Sequence, residues 1–132
     1  MRQDPILFVD DDFMSHLLNC EMLRQRGFAV LEASSARDAC AAIEQYHFSA
    51  LVTDIDLGDG ADGFEIARVA RAADPDLPVV YMSGTAACRY QQEGVPASQF
   101  LAKPCAPEQI MEALDQAIAE PRRSVHQQPR YR

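Results

Sequence analysis

No stretch of this chain is apolar for anything near the ~20 residues that crossing a membrane requires. Its N-terminus also lacks a basic segment leading into an apolar one. These two absences predict a cytoplasmic protein with no membrane contact. Cysteine pairs are missing too. Cys20, Cys40, Cys88 and Cys105 are irregularly spaced with no C-x-x-C, which argues against zinc and against a disulfide framework and predicts reduced thiols. Basic charge is scarce: 12 Lys and Arg stand against 20 Asp and Glu, a net charge of −8, so nucleic acid is not the expected partner. There is no internal repeat and no low-complexity segment. Lysine is nearly absent. Lys103 is the single one, beside eleven arginines, and that choice suggests a position needing a compact ammonium rather than a forked guanidinium.

What remains is an ordinary globular composition, 48% hydrophobic over 132 residues, enough for one domain around one core. Residues 1–120 are expected to form that domain. Residues 121–132 read as a short basic tail without fixed structure, since four arginines crowd the last residues.

The chain alternates short apolar runs with helical patterns. Ile6–Val9 reads as a strand, and Met14, Leu17, Leu18 and Met22 recur behind it at helical spacing. Gly27 sits where a helix C-cap belongs. Phe28–Ala33 is a second strand. Ser35–Asp38 has the form of a capping box, followed by the stripe Ala36, Ala39, Cys40, Ile43. Ser49–Thr53 is a third strand, and Phe64, Ile66, Val69, Ala70 and Ala73 line a third helix. Pro78–Met82 is a fourth strand and Gln99–Ala102 a fifth, while Ile110, Leu114, Ala117 and Ile118 mark the last helix. Thr85–Glu93 shows no apolar stripe and predicts a short or irregular fourth helix. Five strand–helix alternations imply a parallel sheet with helices on both faces.

Four of the five strands end in a reactive residue: Asp10 and Asp11, then Asp54, Ser83 and Lys103. In a parallel sheet the strand C-termini share one edge, so these groups converge there. Close carboxylates repel one another unless a cation joins them. Oxygen-only donors on rigid strand ends favour Mg²⁺. A carboxylate beside such an ion can act as a nucleophile toward phosphorus. Ser83 and Lys103 add a hydroxyl and a point charge for the phosphoryl oxygens.

The set Val9–Asp11, Thr53–Asp56, Asp62–Gly63, Met82–Gly84 and Phe100–Pro104, in that order, resembles the receiver domain of two-component response regulators over about Pro5–Ala119. The resemblance implies a flavodoxin-like, doubly wound, five-stranded parallel sheet of order 2-1-3-4-5 with five helices. It implies that Asp54 is the phosphoacceptor, that Asp10, Asp11, Asp54 and the Asp56 backbone carbonyl serve Mg²⁺, and that Ser83 and Lys103 contact the phosphoryl group. Phe100 then matches the aromatic switch position alongside Ser83, and the Lys103–Pro104 peptide is expected to be cis.

Three departures stand out. Asp12 extends the acidic run to three, so the metal-facing pair rests on register with the strand. Gly58 occupies a position where proline is common, in a loop about one residue longer than usual. The Ser83–Lys103 segment is about two residues short, with Gly84 in place of alanine.

The function so implied is a signalling switch, not a turnover enzyme, catalysing only its own phosphorylation and dephosphorylation. Its partners would be a sensor histidine kinase or histidine phosphotransfer protein and an output protein, the chain itself being a monomer or weak dimer. With so little sequence outside the domain, output is expected through protein contact or phosphorelay. One alternative is a haloacid-dehalogenase-type phosphatase using Asp54-x-Asp56, although that family places its D-x-D on the first strand. Another is a binding module independent of phosphorylation.

Overall fold

The computed structural model describes residues 4–58, 62–85 and 87–119; the basic tail lies outside the described residues. Five strands and five helices alternate: β1 (Ile6–Val9), α1 (Phe13–Gln25), β2 (Val30–Ala33), α2 (Ala36–Gln45), β3 (Ala50–Asp54), α3 (Gly63–Ala73), β4 (Val79–Ser83), α4 (Ala87–Glu93), β5 (Gln99–Ala102) and α5 (Pro107–Ala119). The strands form one parallel sheet in the order β2-β1-β3-β4-β5. The chain reverses its direction of travel between β1 and β3, and that switch point is where an open α/β sheet leaves a crevice.

Side chains alternate along each strand, and the core divides accordingly. Leu7, Val9, Leu51, Val79 and Tyr81 face α2 and α3. Ile6, Phe8, Ala50, Val52, Val80 and Met82 face α1 and α5. Strands β1, β3 and β4 are buried throughout, which explains their continuous rather than alternating hydrophobicity.

Several predicted caps are present. Ser35 Oγ accepts from the Asp38 amide at 3.1 Å, and Gly27 follows α1 with φ +96, the left-handed geometry that glycine adopts without penalty. Asp62 caps α3 by accepting from the Glu65 amide at 3.1 Å. Gly58 has φ +82, a value closed to proline. The glycine in place of the usual proline is thus a backbone requirement of this loop.

One helical stripe is not as the pattern suggested. Met14, Leu17 and Leu18 of α1 are 49–60% exposed and Phe13 is 74% exposed, while His16, Asn19, Cys20 and Leu23 are buried. Met14, Leu17 and Leu18 lie away from the packed face of α1, where Cys20 and Leu23 share the buried side with a polar anchor described below. The fourth helix is indeed short, seven residues with none buried.

Gly63 starts α3 directly against the end of β3. A Cβ placed there would collide with the Asp54 carbonyl oxygen and lie 2.9 Å from Ile55 Cα, and its amide donates to Ile55 O at 2.9 Å. Backbone atoms cannot move aside as a flexible side chain can. Gly63→Ala is therefore expected to cost roughly 1–3 kcal/mol of stability, measured by urea unfolding; an unchanged midpoint would mean that α3 and β3 separate freely.

Candidate functional site

β3 ends on Asp54, and β1 hands over to Asp10, Asp11 and Asp12. Asp12 is the N-cap residue of α1, which places Asp11 rather than Asp12 at the pocket. Carboxylate oxygens of Asp10, Asp11 and Asp54 lie within 4.8 Å of one another. Asp10 is 1% and Asp54 5% exposed, whereas Asp11 reaches into solvent.

Among the described residues, Lys103 is the cation that offsets this charge. Lys103 Nζ donates to Asp54 Oδ2 at 3.1 Å and stands 3.6 Å from Asp10 Oδ1. Burial works against the ammonium, but the charges of Asp54 and Asp10 outweigh it and hold the Lys103 pKa above its usual value. Lys103 is itself fixed by its amide, which donates to Ser83 O at 2.9 Å, and it precedes a cis peptide to Pro104 as expected.

Asp54 remains the uncomfortable member. Burial pushes its pKa up to about 6, Lys103 pulls it down, and Asp10 and Asp11 add to the rise. Asp10 is better served on one oxygen: Oδ1 accepts from the Asp12 amide at 3.0 Å. Its Oδ2 is buried with no hydrogen-bond partner. A buried carboxylate oxygen left bare beside two further carboxylates is an environment that suits a hard divalent cation.

Ser83 closes the far side of the pocket at the end of β4, 1% exposed. Its hydroxyl donates to Asp56 Oδ2 at 3.0 Å and accepts from the Thr85 amide at 3.1 Å. Thr85 Oγ1 also approaches Asp56 Oδ2, at 3.5 Å. The sequence pointed to the Asp56 carbonyl; the Asp56 side chain as an acceptor for Ser83 was not foreseen. Phe100, the remaining predicted site residue, lies outside the pocket on β5. It is half-buried and stacks on Tyr90 of α4, centroids 5.2 Å apart and planes at 28°. Tyr90 also meets Tyr81 edge-on at 5.6 Å, so one aromatic chain runs from the core strand to the fourth helix.

Two further residues escaped the sequence reading. His16 Nδ1 donates to the Asp10 carbonyl at 2.8 Å, steadying the acidic loop from beneath. Arg89 of α4 pairs with the capping Asp62 at 2.7 Å and lies 5.1 Å over the Phe64 ring. Neither sits in a motif, and only tertiary proximity reveals them.

A family model described as the response regulator receiver domain matches residues 6–115. A response regulator receiver protein of Anaeromyxobacter sp. (strain Fw109-5) is 34% identical over 111 residues, covering 84% of this chain and 44% of that protein. The C4-dicarboxylate transport transcriptional regulatory protein DctD of Rhizobium meliloti (strain 1021) is 30% identical over 116 residues, 85% of this chain and 25% of that protein. The chain thus spans from a quarter to less than half of these curated relatives. Among solved structures, a response regulator receiver protein from Sinorhizobium medicae WSM419 has a TM-score of 0.84 and 36% identity, covering 87% of this chain and 94% of that one.

The raised pKa of Asp54 has a measurable sign. Its folded value of about 6 exceeds the ~3.9 of an unfolded aspartate, so the folded state holds the extra proton. This contribution to stability is present below about pH 4 and is lost as pH rises through the folded value. Asp54→Asn removes the titration. In divalent-free buffer the variant is expected to gain on the wild type by roughly 1–3 kcal/mol from about pH 4 to 7, read by urea unfolding. A difference independent of pH would show that burial does not hold the proton on Asp54.

Proposed function

Because this chain belongs to the response regulator receiver family, we propose that it is a phosphorylation-controlled signalling switch in which Asp54 accepts a phosphoryl group from a phosphohistidine donor. The observation that carries this reading is the position of Asp54. It closes the central strand among Asp10, Asp11 and Lys103, nearly buried yet at the mouth of the sheet's switch point. One Asp54 carboxylate oxygen forms the bond to phosphorus while the P–N bond to the donor imidazole breaks, the ring nitrogen keeping the electron pair. The family match over one continuous register supports this reading over a haloacid-dehalogenase-type phosphatase.

Receiver domains bind Mg²⁺ at this acidic pocket, and the donor set here fits it: three carboxylates, all oxygen, with the bare Asp10 Oδ2 among them. The side chains of Asp10, Asp11 and Asp54 and the carbonyl of Asp56 would hold the ion. Bound there, it supplies positive charge to the phosphoryl oxygens. Lys103, 3.1 Å from Asp54 Oδ2, adds a second positive charge for those oxygens.

Ser83 is the element that reads the outcome. At rest its hydroxyl is given to Asp56. A phosphoryl group on Asp54 offers a stronger acceptor, since a charged oxygen roughly doubles the strength of a hydrogen bond, and Ser83 turns from Asp56 to it. That turn pulls on Thr85 and so on α4, whose contact with β5 runs through Tyr90 and Phe100. Phe100 follows, and the surface of residues 85–100 becomes the output face. Loss of the phosphoryl group to water within the same pocket resets the switch. A sensor histidine kinase or histidine phosphotransfer protein supplies the group to a chain that is cytoplasmic and monomeric or weakly dimeric.

Incubation with Mg²⁺ and phosphoramidate is expected to add one phosphoryl group, seen by intact mass, and Asp54→Asn to add none. Labelling of the variant at the wild-type rate would mean another residue is the acceptor. The output face is tested separately. With beryllofluoride as phosphoryl mimic, amide exchange in residues 85–100 is expected to slow, because a seven-residue helix with no buried residue has little local stability at rest. Unchanged exchange there would move the output face elsewhere.

A further inference from the structure

Behind the acidic loop, His16 and Cys20 lie one turn apart on the packed side of α1, and Glu32 reaches them from β2. One donor atom from each lies within 4.8 Å of the other two. The His16 ring is held edge-on to Phe8, centroids 5.4 Å apart. A backbone carbonyl can only accept, so the 2.8 Å contact of Nδ1 with Asp10 O puts a proton on Nδ1. The other nitrogen, Nε2, is buried in a residue only 8% exposed and has no hydrogen-bond partner. It stands 3.1 Å from Glu32 Oε1, close enough for a charge contact but without the alignment of a hydrogen bond. In a ring that carries its proton on Nδ1 alone, the Nε2 lone pair faces a carboxylate oxygen, an arrangement that a cation between or beside them relieves.

The surroundings match what metal-binding side chains carry. A ligating histidine donates its second ring nitrogen to a carbonyl or carboxylate, and a ligating carboxylate is held by a neighbour. Here Arg24 takes the other Glu32 oxygen at 2.8 Å and is anchored on Val30 O at 3.1 Å. A groove lined in part by Asp10, Asp11, Phe13, His16, Leu17 and Glu32 opens His16 and Glu32 to solvent, with Cys20 buried behind them.

We propose that His16 Nε2, Cys20 Sγ and Glu32 Oε1 form a binding site for Zn²⁺, separate from the acidic pocket and joined to it by the His16–Asp10 hydrogen bond. One nitrogen, one sulfur and one oxygen is a zinc donor set and not a magnesium one. Bond lengths of about 2.0–2.3 Å place tetrahedral ligands roughly 3.3–3.8 Å apart, so small rotations close the observed spacing. Burial, then the charge of Glu32, pushes the Cys20 thiol up to about 12. Only a thiophilic cation displaces that proton, which passes to solvent as the metal–sulfur bond forms, and water completes the coordination. Irregular cysteine spacing argued against zinc in the sequence because the fold, not the spacing, brings the histidine and glutamate to Cys20. An ion here ties α1 and β2 to the loop that carries Asp10.

Co²⁺ serves as the visible probe. One equivalent added to the metal-free full chain is expected to give thiolate-to-cobalt charge-transfer absorption and tetrahedral d–d bands. Zn²⁺ displaces it and excess Mg²⁺ does not. Cys20→Ser is expected to lose the charge-transfer band, and Glu32→Gln to bind Zn²⁺ at least about tenfold more weakly. Asp54→Asn leaves both unchanged, so failure of this site is distinguishable from failure of the phosphoacceptor reading. Cys20 is buried and its variant must be checked by circular dichroism; Glu32, on the exposed side, decides the question if that variant does not fold. Absence of the charge-transfer band, its persistence in Cys20→Ser, or equal Zn²⁺ affinity in Glu32→Gln overturns the proposal.

Discussion

Repulsion among Asp10, Asp11 and Asp54, offset by one ammonium, is the constraint on which the rest of this structure depends. Two of the three carboxylates are almost fully buried, and a lone charge in such a place carries a large desolvation penalty. Lys103 relieves part of it, contacting Asp54 directly and Asp10 at longer range. One cation cannot balance three anions, and the residue of the imbalance appears as the elevated pKa of Asp54 and the bare oxygen of Asp10. The pocket is therefore built short of positive charge. A divalent ion, and the chemistry it permits, answers a deficit that the fold itself creates.

The sheet makes that deficit tolerable by placing it at the boundary of two well-packed cores. Beneath the pocket, β1, β3 and β4 are closed to solvent on both faces. Above it, the connection from β4 to β5 is held by Tyr90 on Ser98 O at 2.9 Å, Val95 on the Tyr81 hydroxyl at 3.1 Å, Arg71 on Pro96 O at 2.7 Å and Ala97 O at 3.2 Å, and Arg89 on Asp62. Those of Tyr90 and Arg89 are made from a helix that buries no residue, whereas Val95 and Tyr81 belong to the core. Breaking the Arg89–Asp62 pair and the Tyr90–Ser98 bond uncovers no buried residue of α4, so rearrangement around that helix need not lower global stability.

The sequence disclosed the strand ends plainly, because an apolar run stopping at Asp10, Asp54, Ser83 or Lys103 needs no tertiary information to be read. Strand order followed from the family resemblance, and the sheet has that order. The face of α1 was not legible. Its apolar residues suggested burial, yet the helix turns His16 and Asn19 inward, and the imidazole is bonded to the Asp10 carbonyl. A demand for a hydrogen bond at a strand end outranks the burial of Met14 and Leu18, and hydrophobic periodicity has no term for that. The Ser83–Asp56 contact was hidden for a similar reason. It joins side chains 27 positions apart, and Asp56 was assigned to the pocket through its backbone alone.

The solitary lysine gives the molecule a property apart from signalling. Any reagent that acylates primary amines meets one lysine side chain, and it is the one touching the phosphoacceptor aspartate. That ammonium is a quarter exposed, so it is open to small electrophiles, while Asp54 and Asp10 keep it charged and poorly nucleophilic. Whatever draws those carboxylates away from it frees the amine to react. The chain thus carries an intrinsic chemical reporter at its own centre: the rate of Lys103 acylation tracks the electrostatic state of the pocket with no label added.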